Sequence, residues 1–415
     1  MKHILLLALA ALLTLTGCAP AAPENSVVNL TQTVAAEPVE LVENPDSSAI
    51  SAFGTALLQQ AAEGTVNPVI SPLSAYLALA MVANGTDGET LAEFTKLLGM
   101  EPDVLNANCR AWINLLTTDL SGSTICNCAD SVWIDPAAQI RPEYLSAIAS
   151  GYDAEAFQTN LATDAARAAV NKWVSEKTSG LIPTLREENY PDNTMVVLLN
   201  TLYFKALWDN PFYAEATESR AFTKADGGSV DAPFLQDDEC RRDAVYLEDA
   251  EGILLPYDDG TTAFLALRPT DGVSAREYAA SLTAEKLAEA VAAAEETLLN
   301  FAMPKFAVEN SLAMNEPLKA MGLINAFEPD RADFSKMGTS QQGALYLSSV
   351  QQKVKIIVDE KGTEAAAVTE AAAADAALNP EEPKELILDS PFVYAVVDLK
   401  TAMPLFLGIM DNPAA

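Results

Sequence analysis

Cys126 and Cys128 stand two residues apart, on one face of a strand-like stretch, and that spacing suits a metal or redox pair. A metal site of this kind needs further ligands. The chain offers one histidine, His3, and no second CxxC-type cluster, so Cys109, Cys126, Cys128 and Cys240 are expected as scattered structural thiols. His3 falls in an N-terminal leader, and without histidine both Ser-His-Asp and Cys-His catalysis lose their general base. Carboxylates are plentiful, 58 Asp and Glu against 25 Lys and Arg, which leaves hydrolysis by a carboxylate pair open. The formal net charge of -33 disfavours nucleic acid, heparin-like polyanions and anionic lipid surfaces, because each needs clustered cations.

The most informative stretch, residues 353–391, carries its chemistry in the backbone. Val354, Ile356 and Val358 alternate as a strand does, and the period of two continues beyond Gly362 in smaller residues. In extended register Thr363, Ala365, Ala367, Thr369, Ala371 and Ala373 share one face, while Glu364, Ala366, Val368 and Glu370 share the other. Such a segment can join a sheet as an extra strand, small side chains inward and carboxylates outward. Ala and Glu are also strong helix formers, so composition alone leaves an exposed helix or linker open.

Positioning that segment requires a large domain. Lys2, the apolar run from Ile4 to Leu15 and the ending Leu15-Thr16-Gly17-Cys18 predict a secretory signal over 1–17, too short to span a membrane comfortably. The ending resembles a bacterial lipobox, which implies a lipid on Cys18 and a secreted protein anchored to the outside of a membrane. Residues 18–47, rich in Ala, Pro, Glu and Asn, are then the lipidated cysteine and a solvated tether. No linker interrupts 48–415 apart from the segment above, so one domain is expected there. Apolar periodicity predicts helices through Tyr76–Ala83, Leu91–Leu98, Leu105–Leu116 and Ala165–Val174, with Ser71-Pro72 as a helix start. Strand-like runs follow at Val196–Phe204, Ile253–Tyr257, Ala263–Arg268, Leu299–Val308 and Phe392–Asp398. That order reads as α+β, and no GxGxxG, Walker loop or repeat opposes it.

The string EKGTEAAA, from Glu360 to Ala367, resembles the proximal hinge of the reactive-centre loop in inhibitory serpins, the serine-protease-inhibitor superfamily. NPVISPLS (Asn67 to Ser74), NGTDGETLAEF (Asn84 to Phe94), VNKWVSEKTSGLI (Val170 to Ile182), VLLNTLYFKALWDNPF (Val197 to Phe212), MPKF (Met303 to Phe306) and SPFVYAVVDLKTAMPLFLGIMDNP (Ser390 to Pro413) each resemble a serpin signature, in serpin order. The resemblance implies three β-sheets, about nine helices and a main sheet that opens to admit a mobile loop spanning roughly 360–384. It places Ser71, Ser74, Asn200 and Gln352 in the shutter beneath that sheet, Trp208 and Lys305 at the breach where insertion begins, and a Glu360–Lys305 salt bridge at the loop's base. Ser71 and Ser74 could equally cap a helix start and satisfy buried backbone groups. Gln352 departs from the family, which usually has histidine there; glutamine cannot become a cation, so control of the shutter by protonation is expected to be lost.

Family spacing from Glu360 puts the scissile bond between Ala376 and Ala377. The stretch from there to Pro391 is longer than usual, which leaves Asp375–Ala376 and Ala377–Leu378 as alternatives. Alanine on the acyl side fits serine proteases with shallow pockets, elastase-like or subtilisin-like, and some serpins trap papain-like cysteine proteases. The implied activity is suicide inhibition through a covalent acyl complex by a monomer needing no cofactor. A non-inhibitory serpin-fold binding module is the alternative, opposed by the small, uncharged inward face of the hinge. A surface lipoprotein hydrolysing sugars with paired carboxylates has no motif in its favour.

Overall fold

The computed structural model describes residues 26–117, 124–270, 272–363 and 382–415. Nine α-helices lie among them. The four apolar-periodic runs fall inside helices Pro72–Ala83, Gly88–Leu98, Pro102–Thr117 and Asp164–Lys177. Pro72–Ala83 is apolar on every side, and all 12 of its residues are buried, the signature of a core helix. Extended Ser71 and Pro72 in the first turn start it, proline fitting where an amide would lack a partner anyway. The helix touches two sheets at once, which makes it the central pin of the core.

The main sheet has seven strands: β1 (Val28–Asn29), β2 (Ile125–Ile134), β3 (Glu155–Gln158), β4 (Val196–Leu207), β5 (Phe306–Ala313), β6 (Leu347–Val358) and β7 (Gly362–Thr363). Their spatial order is β1-β3-β2-β4-β7-β6-β5, with a further pairing of β4 to β6. β4 is buried continuously from Val196 to Phe204 because helices cover both its faces, so it reads as an unbroken apolar run instead of an alternation. A nine-stranded sheet holds most of the remaining strands, including Ala250–Pro256, Thr262–Pro269, Phe392–Asp398 and Pro404–Met410. Gly338–Ser340 and Ala138–Ile140 form a third, two-stranded sheet. No helix among the described residues is long and apolar enough to cross a membrane.

Two expectations are corrected. The run Leu299–Val308 is two strands in different sheets: Glu295–Pro304 belongs to the nine-stranded sheet and Phe306–Ala313 is β5 of the main one. The chain changes sheets at Lys305, whose amide donates to Pro233 O over 2.8 Å; an apolar pattern does not register such a switch. The tether, in its described part, is fastened to the domain. β1 pairs with β3 at the sheet edge, the Leu30 amide reaches Ala156 O at 2.7 Å, and Asp46 exchanges hydrogen bonds with Asn108. A few apolar residues, Leu30 and Val34 among them, pack on the core, and the open edge of β3 satisfies backbone groups that a tether would leave to water. Cys18 lies outside the described residues.

Candidate functional site

β7, the start of the segment that resembles a hinge, sits between β4 and β6. Gly362 pairs with Leu207 and Thr363 with Ala206 on one side, while Val358 of β6 pairs with Thr363 on the other. Lower down, β4 and β6 pair with each other, parallel, from Leu347 opposite Val196 to Lys353 opposite Thr201. Between these two zones, among the described residues, no ladder joins Leu202–Lys205 of β4 to Val354–Ile357 of β6. The hinge therefore stands at the mouth of a seam. Backbone contact sets its residue types: a Cβ on Gly362 would lie 2.0 Å from Ala206 O, so only glycine fits there.

Several groups hold the mouth. Trp208, 2% exposed, donates through Nε1 to Asp359 O at 2.9 Å and stacks on Tyr257 with centroids 4.7 Å apart. Tyr257 Oη and Thr363 Oγ1 share a hydrogen bond of 2.5 Å. Lys305 Nζ lies 2.7 Å from Glu360 Oε2, and Thr217 Oγ1 donates to Glu360 Oε1 at 2.9 Å. Burial alone would raise the Glu360 carboxyl; Lys305, its own backbone and Thr217 together hold it below the usual range.

The seam's lower end is pinned by side chains. Asn200 Oδ1 accepts from Ser74 Oγ at 2.6 Å and from Gln352 Nε2 at 3.0 Å, and Asn200 Nδ2 donates to Ser74 O at 2.7 Å. Gln352 also receives the Ser71 amide at 3.0 Å and donates to Ser71 O at 2.9 Å. The sequence brings these four residues together because the central helix packs beneath β2 and β4, its start at Ser71 reaches Gln352 of β6, and Asn200 and Gln352 are register partners. Ser71 takes part through its backbone: its hydroxyl makes no cap and has no partner among the described residues.

A family profile decides what this arrangement belongs to: that of Serpin (serine protease inhibitor) matches residues 48–413. The chain belongs to the serpin family. Serpins are protease inhibitors and not catalytic enzymes, so the carboxylate-pair hydrolase falls away. The leukocyte elastase inhibitor of Sus scrofa is 33% identical over 370 residues, covering 84% of this chain and 93% of the relative. The native state of tengpin, a thermophilic serpin, superposes with a TM-score of 0.87 at 31% identity, covering 93% of this chain and 99% of the other. Tengpin in its latent state superposes less well, at 0.75 and 31% identity over 89% of this chain and 99% of the other. The expected serpin fold, α+β with three sheets and nine helices among the described residues, is the one observed.

Glu364, Ala365, Ala366 and Ala367 of the serpin's hinge, with Ala376 and Ala377, lie outside the described residues. The four thiols are unpaired, and burial pushes Cys126 up to about 12 and Cys240 up to about 11, which makes both poor nucleophiles and ligands. Among the described residues no cluster of His, Cys, Asp and Glu could hold a metal. Sequence reasoning missed one further member of this hydrogen-bonded cluster, Asp130 on β2, whose Oδ1 accepts from Asn200 Nδ2 at 2.6 Å. Its signal was a lone acid within the strand-like run from Ile125 to Ile134, where a charge stays buried only when it has a partner.

Proposed function

We propose that this serpin is a suicide-substrate inhibitor of serine proteases with shallow acyl pockets, elastase-like or subtilisin-like, and that papain-like cysteine proteases are a further target class. The protease nucleophile attacks the carbonyl of Ala376, the amine of Ala377 leaves, and an acyl-enzyme remains on the loop. The loop then enters the main sheet between β4 and β6, carrying the acylated protease away before water can deacylate it.

The observation that carries this reading is the unladdered seam with the hinge already seated at its mouth. In a loop-inserted form that kept the β7 register, Ala365 would lie opposite Phe204 and Ala367 opposite Leu202, two buried residues, and Glu364 opposite the half-buried Lys205. Small residues thus meet the core and a carboxylate meets a cation. A new strand of about ten residues gains roughly 1 kcal/mol per ladder bond, on the order of ten kcal/mol in all, enough to drive a one-way change.

Incubation with pancreatic elastase tests it. A denaturant-resistant complex should form, and the released C-terminal fragment should begin at Ala377, within about two residues given the length of the loop. Cleavage before Thr369, or quantitative cleavage with no complex, would contradict the proposal.

The protein is further proposed to be a secreted monomer held outside a membrane by lipid on Cys18, a reading supported by the Leu15 to Cys18 ending. Radiolabelled fatty acid should enter the wild type and not Cys18→Ser; equal labelling of both would rule the anchor out.

A further inference from the structure

Asp130 is the one charged side chain of the described shutter. It sits on β2 directly opposite Asn200 of β4 and is 3% exposed. Through the Asn200 amide it is linked to Ser74 on the central helix and to Gln352 on β6, so one side chain ties three strands and a helix around this carboxyl.

The groups facing it offer no positive charge. Cys128 stands two residues away on β2, and Cys109 faces it from helix Pro102–Thr117, with Tyr152 of helix Pro142–Tyr152 behind that thiol. Burial raises the pKa of all three, so they stay neutral near physiological pH. The central helix and β4 present only Ser74 and Asn200, and β6 only Gln352 beyond them. Burial therefore lifts the Asp130 carboxyl to about 7, with the Asn200 hydrogen bond a partial offset.

Parting β4 from β6 breaks the Gln352–Asn200 hydrogen bond and leaves the amide that covers the carboxyl held by Ser74 alone, on a face newly open to water. We propose that Asp130 is a proton-operated catch on the main sheet: its neutral form keeps the seam between β4 and β6 closed around Asn200, and its carboxylate, drawn towards water, promotes the parting of β6 from β4. The catch deepens the inhibitor reading and relies on it for the motion of the seam. Protonation control, absent from Gln352, is thereby returned to the shutter from a different strand.

The sign follows from proton binding. An opened shutter admits water and returns the carboxyl to its ordinary value of about 4, so at intermediate pH the closed sheet holds one proton more than the open one. Opening releases that proton and is favoured as pH rises through about 7, whereas acid favours closure.

Two measurements on the full chain test the catch without a protease. In protein labelled with carboxyl-13C aspartate, the resonance absent from Asp130→Asn should titrate near 7; a midpoint near 4 would overturn the proposal. Native protein held at a temperature where it slowly converts to a urea-resistant, loop-inserted form should convert about tenfold faster at about pH 8 than at about pH 5.5. Asp130→Asn, or Asp130→Ser if the asparagine variant does not fold, should convert at a rate level across that range. A level wild-type rate, no conversion at all, or a variant that keeps the wild-type slope counts against the catch. If both results hold while elastase forms no complex, the inhibitor reading fails and the catch stands.

Discussion

Tyr257 Oη and Thr363 Oγ1 are 2.5 Å apart in a buried setting, so Thr363, the last described residue before the loop, is bound by a side chain at the end of strand Ala250–Pro256 of the nine-stranded sheet as well as by the main-sheet ladder. Thr363 is 1% exposed and Tyr257 is stacked on Trp208, which leaves neither hydroxyl free to turn to water. On the proposed mechanism, this hydrogen bond sits where insertion would start.

Removing it should loosen the mouth. In Tyr257→Phe the stack remains, but Thr363 Oγ1 is left buried without its partner, at a cost of about 1–3 kcal/mol. Urea unfolding of the native form should show a lower midpoint with an unchanged slope. Wild-type stability in this variant would mean that the contact holds nothing.

Gly362 answers a different question, whether the hinge must lie between β4 and β6 at all. A Cβ there meets Ala206 O at 2.0 Å and Leu207 Cα at 2.8 Å, both backbone atoms that cannot step aside. Gly362→Val should therefore expel β7 from the sheet, and elastase should cut the variant as an ordinary substrate without a stable complex. Normal complex formation by this variant would show that the loop enters by another route.

The sequence exposed the fold's parts more readily than their joins. The apolar pattern locates the helices through Tyr76 and Leu105 and the strand from Phe392 to Asp398, because the apolar residues of each run are buried along one continuous element. It merged Glu295–Pro304 with β5, since apolar spacing carries no record of which sheet a residue enters. Residues 28–46 read as tether from their Ala, Pro, Glu and Asn content, yet their backbone finds β3 and Asn108 as partners. Within the site, Ser74, Asn200, Gln352, Trp208, Lys305 and Glu360 are singled out through serpin likeness alone; hydrogen bonds join the first three, Trp208 binds the Asp359 carbonyl, and Lys305 pairs with Glu360. Asp130 is not singled out, because its role depends on a register partner 70 residues away that only the folded sheet reveals.

The central claim is that Ala367 would face the core, opposite Leu202, once the loop becomes a strand, while Ala366 would take the other face of the sheet, beside Tyr203. The stoichiometry of elastase inhibition by Ala367→Arg and Ala366→Arg tests it most directly. Ala367→Arg would bury a cation without a partner, a penalty of several kcal/mol on a step that must outrun deacylation, so flux diverts to cleavage. That variant should behave as a substrate, with many molecules cleaved per protease trapped, and Ala366→Arg should keep most of the wild-type inhibition. If both variants inhibit as the wild type does, or both fail equally, insertion of this strand in this register is contradicted.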